Sequence, residues 1–245
     1  MLKKLILLLG AFGLLLFVCL YDFTPTQAVI PDEPINHSPI ENSADSSRSV
    51  LKLVHTLQGN NQMLNKTASA VVIHEDETYY YAITNYHVLD KDNYETVALD
   101  LYDYLGNQYQ ASKISLNQAQ QLISEIYDLG LIKFEKLASE FVIPDVRTNP
   151  LNSTVLLTAV GYPNGTRSIT NGYYQNMVNI ENFPFQVISH NVSITHGNSG
   201  GGLFDASGKL VGINVAAALD LNGDLVQSYA IPTSKVLEYL SLFNL

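Results

Sequence analysis

From Ser49 onward the chain breaks into ten short apolar runs of β character, each ended by a turn signal, and this rhythm constrains the fold more than any other feature. The runs are "SVLKLVHTL", "ASAVVIH", "TYYYAIT", "ETVALDLY", "GLIKFE", "TVLLTAVGY", "FQVISHNVSI", "GGLFD", "KLVGINVAA" and "VQSYAIP". They are rich in Val, Ile, Leu, Thr and Tyr, and such runs at intervals of roughly ten residues build an all-β sandwich or barrel. The intervening chemistry agrees: Leu105-Gly106-Asn107, Pro163-Asn164-Gly165, Ser207-Gly208-Lys209 and Asn222-Gly223-Asp224 are turn sequences. Two stretches have helical spacing instead, "LNQAQQLISEI" from Leu116 and "TSKVLEYLSLFNL" from Thr233, where Thr233 or Ser234 is placed to cap the N-terminus.

The segments ahead of Ser49 have other roles. Lys3 and Lys4 precede an uncharged apolar run, Leu5 to Tyr21, which has the pattern of a secretory signal peptide or a signal anchor. As a helix it would be about 26 Å long, at the lower limit for a bilayer span, so cleavage and anchoring through residues 5–21 both stay open. Residues 22–48 carry four prolines with many Ser and Asn and no periodic apolar face, the composition of a disordered linker. Cys19 is the only cysteine, and the bulky Val18 before it disfavours a lipoprotein site. Everything after the export segment must therefore hold together by packing, with neither disulfide nor thiolate metal site, which points to a bacterial cell-surface or secreted protein. At 47% hydrophobic residues the chain has ample material for that core. A net charge of −10 leaves no basic stripe to neutralise a phosphate backbone, which excludes nucleic acid as an expected partner.

One stretch, "ITHGNSGGGLFD" from Ile194 to Asp205, concentrates glycine around Ser199. A phosphate loop would need G-x-x-x-x-G-K-[ST] ahead of a helix, and the sequence has neither. A glycine-rich hairpin and a nucleophile turn both stay open from this segment alone. A nucleophilic serine requires a neutral imidazole as base, a carboxylate to hold that imidazole, and donors for the developing oxyanion. Of six histidines, His37 lies in the linker, and His55, His74 and His190 sit in or beside strand runs without chemical companions. His196 is too near Ser199 in sequence to fold back on it. His87 ends a strand at "TNYHV" before the charged "DKDN", although a lone histidine there is more often structural. Asp128 in "YDLGLIKF" directly precedes residues expected to be buried, so its carboxylate needs partners, and an imidazole N–H is a suitable one. Asp90, Asp92, Asp100 and Asp103 compete with it from more polar surroundings.

Taken together, "TNYHV", "DLGLIKF" and "GNSGG", in the order His, Asp, Ser, resemble the trypsin/chymotrypsin-like serine peptidases. The resemblance is closest to the bacterial HtrA/DegP-type protease domain, whose further motifs appear here as Leu210 to Asn214 and Ala230 to Pro232. It covers nearly all of Ser49 to Leu245. It implies two six-stranded antiparallel β-barrels with a short C-terminal helix, the N-terminal barrel in about 49–145 and the C-terminal barrel in about 146–245. It also implies His87 as general base and acid, Asp128 as its orienter, Ser199 as nucleophile, and the N–H groups of Gly197 and Ser199 as oxyanion hole. The family's G-S-G before the histidine strand reads "TASA" here, and its usual Pro or Ala after the nucleophile motif is Gly202. The family's PDZ domain has no room after Pro232 in this sequence.

In this fold the residue six before the nucleophile lies at the base of the primary pocket. Here it is Ser193, which argues against cleavage after Lys or Arg, and Asn214 replaces the histidine of glutamyl endopeptidases. An apolar pocket edged by Ile194, Val215, Ala216 and Ala217 is expected to take small or medium aliphatic residues. The expected activity is an exported serine endopeptidase acting on protein or peptide substrates through an acyl-enzyme, with no metal and no cofactor. A catalytically silent peptide-binding module and an esterase are the alternatives.

Overall fold

The computed structural model describes residues 46–59, 62–91, 93–137, 140–219 and 225–245. The apolar segment 5–21, nearly all of the proposed linker, Asp92 and the expected turn at 222–224 lie outside the described residues.

The strand rhythm resolves into two closed barrels. In the first, β1 (Val50–Gly59), β2 (Gln62–Glu75), β3 (Tyr79–Thr84), β4 (Glu95–Tyr102), β5 (Gln108–Lys113) and β6 (Gly130–Glu135) close in the order β1-β2-β3-β6-β5-β4. In the second, β7 (Leu156–Gly161), β8 (Ser168–Val178), β9 (Val187–His190), β10 (Gly202–Asp205), β11 (Leu210–Leu219) and β12 (Leu225–Pro232) close as β10-β11-β12-β9-β8-β7. Every pairing between these strands is antiparallel. Closure pairs each barrel strand on both sides over part of its length, while the second half of β11 pairs with β12 alone.

Period-two alternation sorts side chains into three cores. Leu51 and Leu53 of β1, Ala68, Ala70 and Val72 of β2, and Tyr109 and Phe134 fill the first barrel. Leu157, Ile188, Leu203 and Ala230 fill the second. A third core lies between them, where Val71, Ile73 and Ile83 from one side meet Val160, Phe204, Ile213 and Ile231 from the other. The C-terminal helix seals this third core with Val236, Tyr239 and Leu240. The site sits along this seam, so the third core decides how the two halves of the chemistry face each other.

Three short helices punctuate the sheets: α1 (Tyr86–Leu89), α2 (Gln118–Tyr127) and α3 (Thr233–Ser241). α2 starts at a capping box in which the Asn117 side chain and the Gln120 N–H bond each other, as do the Gln120 side chain and the Asn117 N–H. α3 does not start as the sequence indicates. Pro232 occupies its N-cap with no side-chain cap, and the Thr233 hydroxyl instead donates to Arg147 O at 3.0 Å, tying the helix to the segment that joins the barrels.

Two strands have no counterpart among the apolar runs. β5 has one buried side chain, Tyr109, and β8 has none, alternating exposed with half-buried residues from Ser168 to Gln175. Their ladders hold them in the sheets where their own hydrophobicity does not.

Candidate active site

The turn carrying His87 is α1, a single helical turn that follows β3, where the sequence points to a strand end. Asn85 precedes it in extended conformation, fully buried, and its side-chain amide donates to Asp128 O at 3.0 Å. Asp128 itself ends α2 in the left-handed region at φ 50° and ψ 43°, a conformation that Asp tolerates better than most residues. That geometry turns its carboxylate toward α1. One oxygen accepts the His87 backbone N–H at 2.9 Å, and the other meets His87 Nδ1 at 2.8 Å. A carboxylate so placed fixes both the position of the turn and the tautomer of the ring, leaving Nε2 as the free basic nitrogen. The imidazole side chain is 51% exposed and the Asp128 side chain 18%, so the ring is open to its surroundings while the carboxylate that holds it is shielded. Asp103, one of the competing carboxylates, instead binds the N–H groups of Leu105 and Asn107 within its own turn.

Ser199 comes from the second barrel on a double turn. Asn198 N–H donates to Thr195 O at 3.0 Å around Gly197 at φ 97°, and Gly201 N–H donates to Asn198 O at 2.8 Å around Gly200 at φ 80°. Both positive-φ positions exclude ordinary side chains. Close contact adds to this, since a Cβ on Gly200 would lie 2.2 Å from both Ser69 O and Thr84 Oγ1, and one on Gly197 would lie 2.4 Å from Tyr162 O. Gly200 lets the serine turn press against the first barrel at Ser69 and Thr84, three residues ahead of His87, and Gly197 lets it press against the segment that follows β7.

Three carbonyls of the loop are held by neighbouring segments. His196 O accepts from Asn164 N–H at 3.3 Å, Gly197 O from the Ser69 hydroxyl at 2.7 Å, and Ser199 O from Ser69 N–H at 2.9 Å. In a trans peptide the N–H points opposite to the carbonyl, so the Gly197 N–H, sharing its peptide with His196 O, is turned away from Asn164. Among the described residues neither the Gly197 N–H nor the Ser199 N–H donates to a protein acceptor. Two unpartnered donors flanking a serine can bind a negatively charged oxygen.

Sequence reasoning missed Ser69, the middle of "TASA". Its hydroxyl donates to Gly197 O and accepts the Tyr162 N–H at 2.9 Å, its N–H holds Ser199 O, and its carbonyl accepts the Thr84 hydroxyl at 2.7 Å. One fully buried side chain thereby rivets the Ser199 turn to β2. The signal was its register: Ser69 shares a strand face with Val71 and Ile73, the face turned to the other barrel.

Of the residues expected to line the specificity pocket, Ser193 is exposed and Ala216 half-buried. Ile194 packs inside the second barrel with Leu157 and Ile188, and Val215 belongs to the core between the barrels. Two polar residues share the interior of the second barrel. Asn214 Oδ1 and both ring nitrogens of His190 are buried without a hydrogen-bond partner, and burial pushes His190 down to about 4, so that ring is neutral.

The chain has relatives in sequence and in fold. A probable periplasmic serine endoprotease, DegP-like, of Buchnera aphidicola subsp. Schizaphis graminum is 28% identical over 210 residues, covering 84% of this chain and 39% of that protein. Periplasmic serine endoprotease DegP of Escherichia coli K12 is 28% identical over 183 residues, 73% of this chain and 36% of the relative. The chain thus spans well under half the length of these relatives. In three dimensions it matches the HtrA-type protease AlgW, solved with a tripeptide, with a TM-score of 0.67 at 23% identity, over 82% of this chain and 62% of that one. The sequence profile of the trypsin-like peptidase domain matches residues 68–213, well over half of the chain, and with two barrels of the chymotrypsin-like kind the protein belongs to that family.

Proposed function

We propose that the protein is an exported serine endopeptidase in which Ser199 attacks the scissile carbonyl, His87 takes and returns the proton, and Asp128 orients the ring. The observation that carries this reading is the paired hydrogen bonding of Asp128 to the His87 N–H and Nδ1. It prepares Nε2 to act as a base, for which a merely structural histidine has no need. As Ser199 Oγ bonds to the carbonyl carbon, its proton passes to Nε2, and the oxyanion is met by the Gly197 and Ser199 N–H groups. Collapse breaks the C–N bond, the imidazolium protonates the departing amine, and an acyl-enzyme remains. Water, deprotonated by the same nitrogen, then releases the acid.

Ser193, Val215, Ala216 and Ala217, with Ile194 packed beneath, form a primary pocket for small or medium aliphatic side chains, and substrates are proteins or peptides. Export rests on the apolar segment 5–21 and on the periplasmic placement named for the relatives, with the mature protein secreted or held at the cell surface by that segment. Among the described residues no helix is long and apolar enough to cross a membrane.

A fluorophosphonate probe tests the chemistry directly. The full-length chain is expected to be labelled at Ser199 and to cleave unfolded protein, and Ser199→Ala to lose both; an unlabelled wild-type protein that cleaves no peptide or ester would end this reading.

A further inference from the structure

The turn that carries His87 has a chemical problem that the rest of the site leaves unsolved. α1 is four residues long, and its last carbonyls have no following turn to bond to. It also caps one end of the first barrel, with Val88 and Leu89 packed among the core side chains, so carbonyls orphaned there would be costly.

Three polar side chains meet them in sequence. His55 Nδ1 lies 3.0 Å from Val88 O, the Lys113 ammonium donates to Leu89 O, and Lys66 Nζ donates to Asp90 O at 2.7 Å. All three occupy the inward register of their strands. His55 continues the alternation of Leu51 and Leu53 on β1, Lys66 precedes Ala68 and Ala70 on β2, and Lys113 follows Tyr109 and Ala111 on β5. His55 and Lys66 are directly paired across β1 and β2. At the rim that faces α1, strand positions in the register of the barrel core hold side chains that donate to its carbonyls. The chemistry of each bond is determined: a carbonyl only accepts, so His55 Nδ1 carries the proton, and Nε2 accepts from the Thr96 hydroxyl at 2.9 Å. Two ammonium groups at the negative end of a helical turn add an electrostatic attraction.

We propose that His55, Lys66 and Lys113 form a three-point clamp that positions the general base: by fixing the carbonyls of residues 88, 89 and 90, they hold α1 where the N–H and ring of His87 both reach Asp128. These are positioning residues, acting through the turn and touching no substrate. The clamp rests on the reading of His87 as the catalytic base, and it ties catalytic geometry to the interior of the first barrel instead of to a disulfide, which a domain without cysteine lacks.

The test uses full-length Lys113→Met, Lys66→Met and Lys113→Arg with three readouts: kcat and KM on a peptide substrate, the pH profile of kcat/KM, and the far-downfield proton resonance of the His87 ring N–H. Loss of either lysine is expected to lower kcat about ten- to a hundredfold with KM within about twofold, the scale set by small misplacements of catalytic groups. It should also displace the acid limb of the pH profile and broaden or shift the resonance, and Lys113→Arg should recover most of the activity. If both methionine variants keep the wild-type kcat, pH profile and resonance while only the melting temperature falls, the clamp is overturned and the lysines are merely structural. Should Lys113→Met fail to fold, Lys66→Met and Lys113→Arg carry the same decision. Should the wild-type protein lack protease activity, the peptidase reading fails separately, and the resonance in the lysine variants still decides whether they hold His87 on Asp128.

Discussion

Asp128 does at one position what its neighbours in sequence cannot: a left-handed backbone at the end of α2 aims both of its oxygens at one residue of another element. Asp128→Asn offers an N–H where the ring N–H must be accepted, which forces the wrong tautomer or breaks the bond. We expect kcat to fall roughly a thousand- to ten-thousandfold with the fold intact, measured by steady-state kinetics beside near-UV circular dichroism. Ser69 is the second residue whose loss should be felt at the site. Ser69→Ala leaves Gly197 O and the Tyr162 N–H unsatisfied in a buried seam, at a cost of about 1–3 kcal/mol each where water cannot enter. The expected result is a lowered denaturation midpoint together with slower fluorophosphonate labelling, and a variant labelled at the wild-type rate would show that Ser69 does not steady the nucleophile turn. At this scale the sequence pointed to His87, Asp128 and Ser199 through the motifs that carry the family resemblance. It was opaque at Ser69, His55, Lys66 and Lys113, ordinary strand residues whose partners lie many residues away.

Among the elements, α2 links the turn that carries His87 to the C-terminal helix. Tyr86 and Gln121 bond each other and both bond Glu125, and the buried Ser124 and Tyr239 hydroxyls join α2 to α3 at 2.9 Å. α2 is therefore the support on which Asp128 stands, and its capping box is the place to loosen it. Asn117→Ala is expected to cost about 1 kcal/mol and to lower the thermal midpoint while leaving KM unchanged. An unaltered midpoint would show that the cap adds nothing in this context. The helical spacing of "LNQAQQLISEI" made α2 readable in advance, whereas the four residues of α1 are too few to show any period. β5 and β8 went unread for a related reason: a strand whose outward face is polar and whose inward face is only half-buried has little apolar alternation to detect.

Over the whole molecule, the two barrels bury two neutral histidines, one each. Burial lowers both His55 and His190 from the ordinary 6.5 to about 4, in His55 against the opposing pull of the Val88 carbonyl. Because the folded values lie below the unfolded one, the unfolded chain takes up protons that the native state refuses. Stability is full above pH 6.5 and falls as the pH drops from there toward 4, by on the order of a few kcal/mol for the pair. Urea unfolding across that range should show this slope, and His190→Met, which fills the same space without titrating, should reduce it by about half. An identical slope in the variant would show that His190 is not the source.

The sequence by itself determined the all-β class, because strand periodicity is written in residue type and short-range spacing, while the order His87, Asp128, Ser199 came from the motifs that carry the family resemblance and the positive φ of Gly197 and Gly200 shows only in the structure. Only the tertiary structure decided which backbone groups those residues meet. The rivet at Ser69, the donors under α1, the two unpartnered N–H groups at Ser199 and the unpartnered polar atoms inside the second barrel all depend on chain segments brought together by barrel closure. A hydrogen bond between residues far apart in sequence leaves no mark on the composition of either neighbourhood, and it comes into being only when the core between the barrels sets their separation.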